Sequence, residues 1–237
     1  MLRKNFWRNK KILPAITTIT GLAWQNKIKE VKELGLEEIS LFPTCLNLEQ
    51  RKELYRLLED VKIKSIPFVH LRSDMELWEL DHLVKNYQTS AFNLHTARES
   101  PFCRDYGHYS KIIYIENTYE PLDEKEIKKF GGICLDFSHL ENTRLFYRNM
   151  YEHNIQIVEK YGCGCNHISP AKNFPMLDDR VKKYSYSQHP HFLKSLSELD
   201  YLKKYPANYF GNFLALELQN DLREQLKAKD YIVKLLK

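Results

Sequence analysis

Eight short apolar runs recur along this 237-residue chain, and most are followed by a segment whose apolar residues fall at helical spacing. Ile12 to Thr20 reads as extended. Trp24 to Leu34 follows with Ile28, Val31 and Leu34 on one stripe, and Gly35 stands where a helix C-terminus favours glycine. Ile39 to Phe42 and Ile63 to His70 are the next two strands. They are followed by helices over Leu48 to Val61 and over the segment that carries Leu77, Trp78, Leu80 and Leu83, the latter with Asp74 as its expected cap. Strands joined through helices must run parallel with right-handed crossovers, which leaves an open doubly wound sheet or a closed barrel.

The second half continues the alternation with one gap. Ala91 to His95 is a fourth strand, but the span to Ile112 contains Pro101 and Gly107, so the fourth helix is expected to be short or missing. Ile112 to Glu116, Gly132 to Asp136, Cys163 to Ser169 and Phe213 to Glu217 complete the set. Helices are expected over Glu124 to Phe130, Asn142 to Tyr161, Phe192 to Lys204 and Asp221 to Leu236. A loop of about twenty residues precedes the Phe192 helix, and a loop that long in a compact domain is usually functional or mobile. Eight strands favour closure, and no Gly-x-Gly-x-x-Gly follows the first strand. The expectation is an α/β (β/α)8 barrel.

The net charge of +5 belongs to the N-terminus: Arg3, Lys4, Arg8, Lys10 and Lys11 precede Ile12, after which 31 basic residues face 31 acidic ones. Residues 1–11 are expected to form a basic tail and residues 12–237 a single, overall neutral barrel domain. Any phosphate site must then be a local patch rather than a global field. The longest uncharged stretch, Ile12 to Asn26, is 15 residues and is interrupted by Pro14, Gly21 and several polar residues. That is short of the ~20 apolar residues a membrane helix needs. No secretory signal pattern precedes it, so the expected location is cytoplasmic. The five cysteines are then read as free thiols.

Glu116, Asp136, His167 and Glu217 sit at or near the ends of four of the runs. In a barrel, strand C-termini converge on one mouth, where the connecting loops build the site. Residues two apart share a face of a strand. Tyr114 should therefore point inward with Glu116, Cys134 with Asp136, Cys163 and Cys165 with His167, and Phe213 and Ala215 with Glu217. The opposite sets, such as Ile113 with Ile115 and Leu214 with Leu216, are apolar and suited to packing on helices. Three inward carboxylates with no neighbouring lysine or arginine in phase would cost several kcal/mol per charge without a partner. A divalent ion held by Glu116, Asp136, His167 and Glu217 removes that cost, and the mixed donor set suits Mn2+, Mg2+ or Zn2+. His70 and His95 end strands three and four, His139 lies three residues beyond Asp136, and His189 and His191 lie in the long loop, giving further candidates for the same rim.

These motifs in order, Ile-Glu-Asn at 115–117, Leu-Asp-Phe-Ser-His at 135–139, Asn-His-Ile-Ser at 166–169 and Leu-Glu at 216–217, resemble the xylose-isomerase-like TIM barrel superfamily. It contains sugar and sugar-phosphate isomerases and epimerases and also endonuclease IV. In the isomerase branch the resemblance implies one metal on Glu116, Asp136, His167 and Glu217, with the two glutamates moving protons through an enediolate and His139 steadying an oxygen. After His167 the chain offers Lys172 and Asn173 where similar epimerases carry an arginine. Arg98, Arg104, Lys172 and Arg180 could hold a phosphate or be solvated loop charges. The nuclease branch implies a zinc phosphodiesterase of abasic DNA, drawing on His70, His95 and His189 as well, but Ser187 stands where it has an aspartate. A non-catalytic barrel is the third reading. A small-molecule substrate is favoured over nucleic acid, and a second subunit could cover the wall left by the missing helix.

Overall fold

The computed structural model describes residues 9–19, 23–172 and 191–237, together with the backbone of two short strands, Met176–Asp178 and Lys183–Ser185. The expectations for Arg3, Lys4, Arg8, Arg180, Ser187 and His189 lie outside the described residues. The strands are β1 (Lys11–Leu13), β2 (Ala15–Thr17), β3 (Glu38–Phe42), β4 (Ser65–His70), β5 (Ala91–His95), β6 (Ile113–Glu116), β7 (Gly132–Asp136), β8 (Cys163–Ile168), β9 (Met176–Asp178), β10 (Lys183–Ser185) and β11 (Phe213–Leu216). β9 and β10 pair antiparallel with each other. The other nine form one parallel sheet in the order β1-β11-β8-β7-β6-β5-β4-β3-β2.

That order closes a barrel, because β1 and β2 are halves of one extended stretch separated by Pro14. The first half pairs with β11 and the second with β3. Proline has no N–H for a ladder, so a strand that carries it mid-sheet loses a bond at that point. Here the Pro14 carbonyl still accepts from Ser40 N at 2.8 Å. The next N–H, that of Ala15, turns instead to Gln225 Oε1 at 2.7 Å. Gln225 is fully buried, and its amide nitrogen donates to the carbonyls of Ala15, Leu218 and Asn220 at 3.0 to 3.2 Å. One side chain of the last helix thus satisfies the backbone where the barrel closes.

The helices are α1 (Trp24–Leu34), α2 (Leu48–Glu59), α3 (Leu77–Tyr87), α4 (Glu124–Lys129), α5 (Phe137–Phe146), α6 (Arg148–Tyr161) and α7 (Leu222–Leu235). Gly35 ends α1 at φ 61°, in the left-handed region that favours glycine. Between β5 and β6 there is only a 3-10 turn, Gly107–Ile112, as the short or missing fourth helix requires. The wall there is not bare. Tyr106 and Tyr109 are buried, Tyr109 meets Phe92 edge-on at 6.4 Å, and Phe102 meets Phe130 at 5.6 Å. The chain's own aromatics pack over the outer face of β5.

Several boundaries move. Asp74 does not cap α3; Glu76 does, in a capping box with Glu79, while Asp74 is held by Arg72. The expected helix over 142–161 breaks at Tyr147 (φ −135°, ψ 60°), because α5 starts directly at Asp136 and ends before α6 begins. The segment Leu196–Lys204 is 3-10 rather than α-helical. β1 begins at Lys11, inside the segment read as tail.

The alternation of faces holds for the barrel wall. Leu13, Ala15, Phe42, Phe68, Ala91, Cys134, Cys165 and Ala215 form the inner cluster, with Tyr114 and Phe213 packed on it. Ile113, Ile115, Ile133, Leu135, Leu214 and Leu216 pack outward under the helices. Cys163 is the exception. The ladder shifts register between Ile133 and Cys134, and Cys163 pairs with outward Ile133 and packs in the outer cluster. A Cβ on Gly164 would lie 2.0 Å from the Tyr114 ring, so the inward aromatic fills the space at this irregularity.

Lys27 of α1 adds a second tie across the closure, donating to Thr17 Oγ1 at 2.9 Å and to the Leu218 carbonyl at 2.6 Å. Burial pushes its pKa down to about 8, with Glu30 and Asp221 opposing only in part. Below pH 8 both folded and unfolded chains carry this charge. Between about 8 and about 10.4 only the unfolded chain holds the proton, so this group adds stability as pH rises. Urea midpoints of wild type and Lys27→Met across pH 7 to 10 should show that rise reduced in the variant; identical slopes would contradict it. Gln225→Leu orphans the Ala15 N–H and should cost about 1–3 kcal/mol at an unchanged m-value, whereas a loss under about 0.5 kcal/mol would mean the closure does not depend on it.

Candidate metal centre

The barrel wall delivers its polar side chains to one end. His70 is the last residue of β4, His95 of β5, Glu116 of β6 and Asp136 of β7, while His167 is the penultimate residue of β8 and Glu217 follows β11 directly. Register sets them level, with His95 opposite Glu116 and Asp136 opposite His167. Glu217 is fixed by its own N–H, which donates to the Ile168 carbonyl at 3.0 Å.

The four expected ligands meet around one imidazole nitrogen. His167 Nδ1 lies 3.3 Å from Glu116 Oε1, 3.7 Å from Glu217 Oε2 and 3.8 Å from Asp136 Oδ2. The contacts with Asp136 and Glu217 are too long for hydrogen bonds, and the 3.3 Å contact lacks hydrogen-bond geometry. Both His167 nitrogens, Asp136 Oδ2 and His139 Nδ1 are buried without a hydrogen-bond partner. Natively, such atoms are satisfied by protein, water or an ion. Among the described residues, three overlapping triads place one ligating atom each within 4.8 Å of the others: His70–Glu116–His167, Glu116–Asp136–His139 and Asp136–His167–Glu217. These atoms fit a divalent cation.

Each orphan is orphaned for a reason visible nearby. Asp136 is both the last residue of β7 and the N-cap of α5. Its Oδ1 accepts from the His139 N–H at 2.8 Å and from Ser138 Oγ at 2.7 Å, which leaves Oδ2 aimed into the mouth. Asn117 locks the Asp136 backbone, donating to its carbonyl and accepting from its N–H. His70 Nδ1 donates to the Leu71 carbonyl at 2.8 Å, which places the lone pair of a neutral ring on Nε2, 3.2 Å from Glu116 Oε2. Two acceptors face each other there unless a proton or a metal stands between them, and a backbone bond on the far nitrogen is the usual support of a metal-binding histidine. Asn93 donates to the same oxygen at 2.6 Å. Phe42 and Phe68 pack on the His167 ring at 5.0 and 5.4 Å and form a dry floor.

The charges respond to this crowding. Burial resists ionisation of Glu116, but His167, His70 and His95 outweigh it and hold its carboxyl well below the usual range. Burial likewise resists protonation of His167, yet Cys134 and Glu116 beside it keep its pKa well above the ordinary imidazole value. Glu217 is held down against burial by His191 and His167.

Of the other expected residues, His95 reaches Glu116 Oε2 only at 3.8 Å and is held on its other side by Glu99 at 3.1 Å. Lys172 is committed to Glu198 at 2.7 Å. His189 lies outside the described residues. His191, one of the further rim candidates, enters as a neighbour of Glu217, and its carbonyl accepts from Gln219 N–H at 3.1 Å. Asn93, Asn117, Ser138 and Glu99 were unassigned. Asn93 lies two residues before His95, so the alternation of faces was a signal that could have found it.

Comparison with family models gives no match, and comparison with characterised proteins gives none either. Among solved structures, the chain is similar to a xylose isomerase-like TIM barrel protein from Mycobacterium smegmatis in complex with magnesium, at 13% identity and a TM-score of 0.46 over 97% of each chain. It is similar to endonuclease IV from Thermus thermophilus, at 12% identity and a TM-score of 0.44 over 95% of this chain and 99% of that one. A probable 3-DHS dehydratase from Bacillus anthracis matches at 11% identity and a TM-score of 0.40 over 95% and 98%. These likenesses are of fold.

A ligand that binds only the folded state at a hundredfold excess over its Kd stabilises by about 2.7 kcal/mol. Mn2+, Mg2+ and Zn2+ added in turn to metal-stripped protein should include at least one that raises Tm accordingly, and Asp136→Asn should lose the effect. No shift with any of the three would contradict the centre.

Proposed function

We propose that this protein is a divalent-metal-dependent enzyme that isomerises or epimerises a small hydroxylated carbonyl compound, a sugar or sugar phosphate. The observation that supports it best is the convergence of Glu116, Asp136 and Glu217 on His167 Nδ1 with buried ligating atoms left over. Held by these four residues, a divalent ion supplies the polarisation of a carbonyl and its neighbouring hydroxyl that lowers the cost of removing the proton between them.

The chain's own groups do the rest. Glu217, with 16% of its side chain exposed, is the carboxylate that substrate reaches first and accepts the carbon-bound proton, while Glu116 returns one from the other side. His139, three residues beyond Asp136 on the first turn of α5, steadies the oxygen that gains charge. Phe42 and Phe68 beneath His167 keep bulk water from the carboxylates, which strengthens every charge interaction in the mouth.

A specific observation favours a second reading, a zinc phosphodiesterase. The two oxygens of Glu116 face different imidazoles: Oε1 faces His167, and Oε2 faces His70 and His95. A carboxylate shared in this way suits a two-metal site, which clamps both oxygens of a phosphoryl displacement.

Metal content separates the two. Elemental analysis near one ion per chain, with Glu217→Gln losing metal and at least a hundredfold in isomerase turnover, is the expected result. Two or three zinc ions with cleavage of an abasic duplex would favour the second reading, and Glu217→Gln with unchanged metal and turnover would remove the first.

A further inference from the structure

The geometry points to an unphosphorylated, polyhydroxylated substrate whose hydroxyl-bearing tail lies in a cavity between the loops after β3, β4 and β5. This inference deepens the isomerase reading and rests on it.

The cavity has a volume of 200 Å³ and opens beside the centre, since His70 and His95 line it; Leu71 and Leu94 add apolar surface, and Thr44, Arg72, Ser73 and Ser100 complete the lining. That volume is below the roughly 300–1,000 Å³ of pockets for drug-sized ligands. Three of the lining side chains are aliphatic hydroxyls, each able to donate one hydrogen bond and accept two. Such groups pair with sugar hydroxyls without a charge on either side.

Among the described residues, the one arginine or lysine that lines the cavity is already paired. Arg72 donates from Nε to Asp74 Oδ1 at 2.8 Å and from Nη2 to Asp74 Oδ2 at 3.0 Å, and its Nη1 donates to the Thr44 carbonyl at 2.6 Å. This is the two-pronged pairing that a phosphate would otherwise take. The Arg72 hydrogen bond holds the Asp74 carboxyl below its usual range, so the partner is ionised. The other described rim cations put forward for phosphate are paired as well: Lys172 with Glu198 at 2.7 Å, Arg104 with Glu76, and Arg98, 71% exposed, with Glu120 at 3.6 Å. A phosphate dianion would have to share Arg72 with Asp74, and it would do so beside Glu99, 3.1 Å from His95. A neutral hydroxyl meets none of that opposition. It can use the donors that Arg72 has left.

Calorimetry on the full, metal-loaded chain tests this with D-fructose, D-ribulose and xylitol against D-fructose 6-phosphate, D-ribulose 5-phosphate and inorganic phosphate. At least one free sugar or polyol should bind saturably, its phosphate ester should bind no tighter, and inorganic phosphate should not compete. Ser73→Val should weaken the free sugar about tenfold with metal content unchanged. Asp74→Asn, which releases Arg72, should gain binding of inorganic phosphate. A phosphate ester that binds tenfold tighter than its free sugar to wild type, or a Ser73→Val protein that binds free sugar as wild type does, overturns the inference and leaves the metal-dependent isomerase reading standing. A metal-loaded chain that binds no sugar of either kind overturns both.

Discussion

The crowding of two buried carboxylates, Glu116 and Asp136, and a third, partly exposed one, Glu217, around His167 at the mouth of a closed sheet is the constraint on which the rest of this structure depends. Each ion removed from water costs several kcal/mol unless an opposite charge and hydrogen bonds compensate it. Glu116, Asp136 and Glu217 have no lysine or arginine among the described residues that touch them; they have His167 and, around it, His70, His95 and His191. Imidazole is a weak counter-charge near neutral pH. It is also the commonest protein ligand for a transition metal, so the same side chains suit a cation shared among the carboxylates.

The surrounding polar network is built to hold these groups apart rather than to neutralise them. Asn93, Asn117 and Ser138 occupy one oxygen or the backbone of Glu116 and Asp136 and leave the other oxygen directed inward. The barrel closure serves the same end. Gln225 and Lys27 tie the split first strand to the turn after β11, next to Glu217, so this carboxylate is placed by the contacts that seal the sheet. Elsewhere, charged groups are matched directly, as in the fully buried Arg51–Glu79 pair joining α2 and α3. The mouth is the place where matching is withheld.

Period and punctuation carried most of the fold. The inward and outward sets of β6, β7 and β11 were legible because side chains on a strand alternate, and strand ends placed Glu116, Asp136 and His167 without knowledge of any contact. Three kinds of feature were not legible. Pro14 divides a strand whose halves belong to different neighbours, and only the closed sheet shows this. Gly164 lies at an irregularity that turns Cys163 outward, which an unbroken two-residue period cannot express. Asn93 was within reach of the two-residue period of β5, whereas Asn117 and Glu99 act from loops, so no spacing within a strand marks their role. His191 is similar: it lies twenty-six residues before Glu217 in sequence, and only the fold sets it beside that carboxylate.

The most direct measurement is an anomalous difference map from crystals grown with Mn2+ and recorded at the manganese edge. The account predicts a peak inside the barrel mouth within coordination distance of Glu116, Asp136, His167 and Glu217. A well-phased map with no peak there, or with His167 Nδ1 hydrogen-bonded to a single carboxylate and the remaining oxygens satisfied by protein alone, would contradict it.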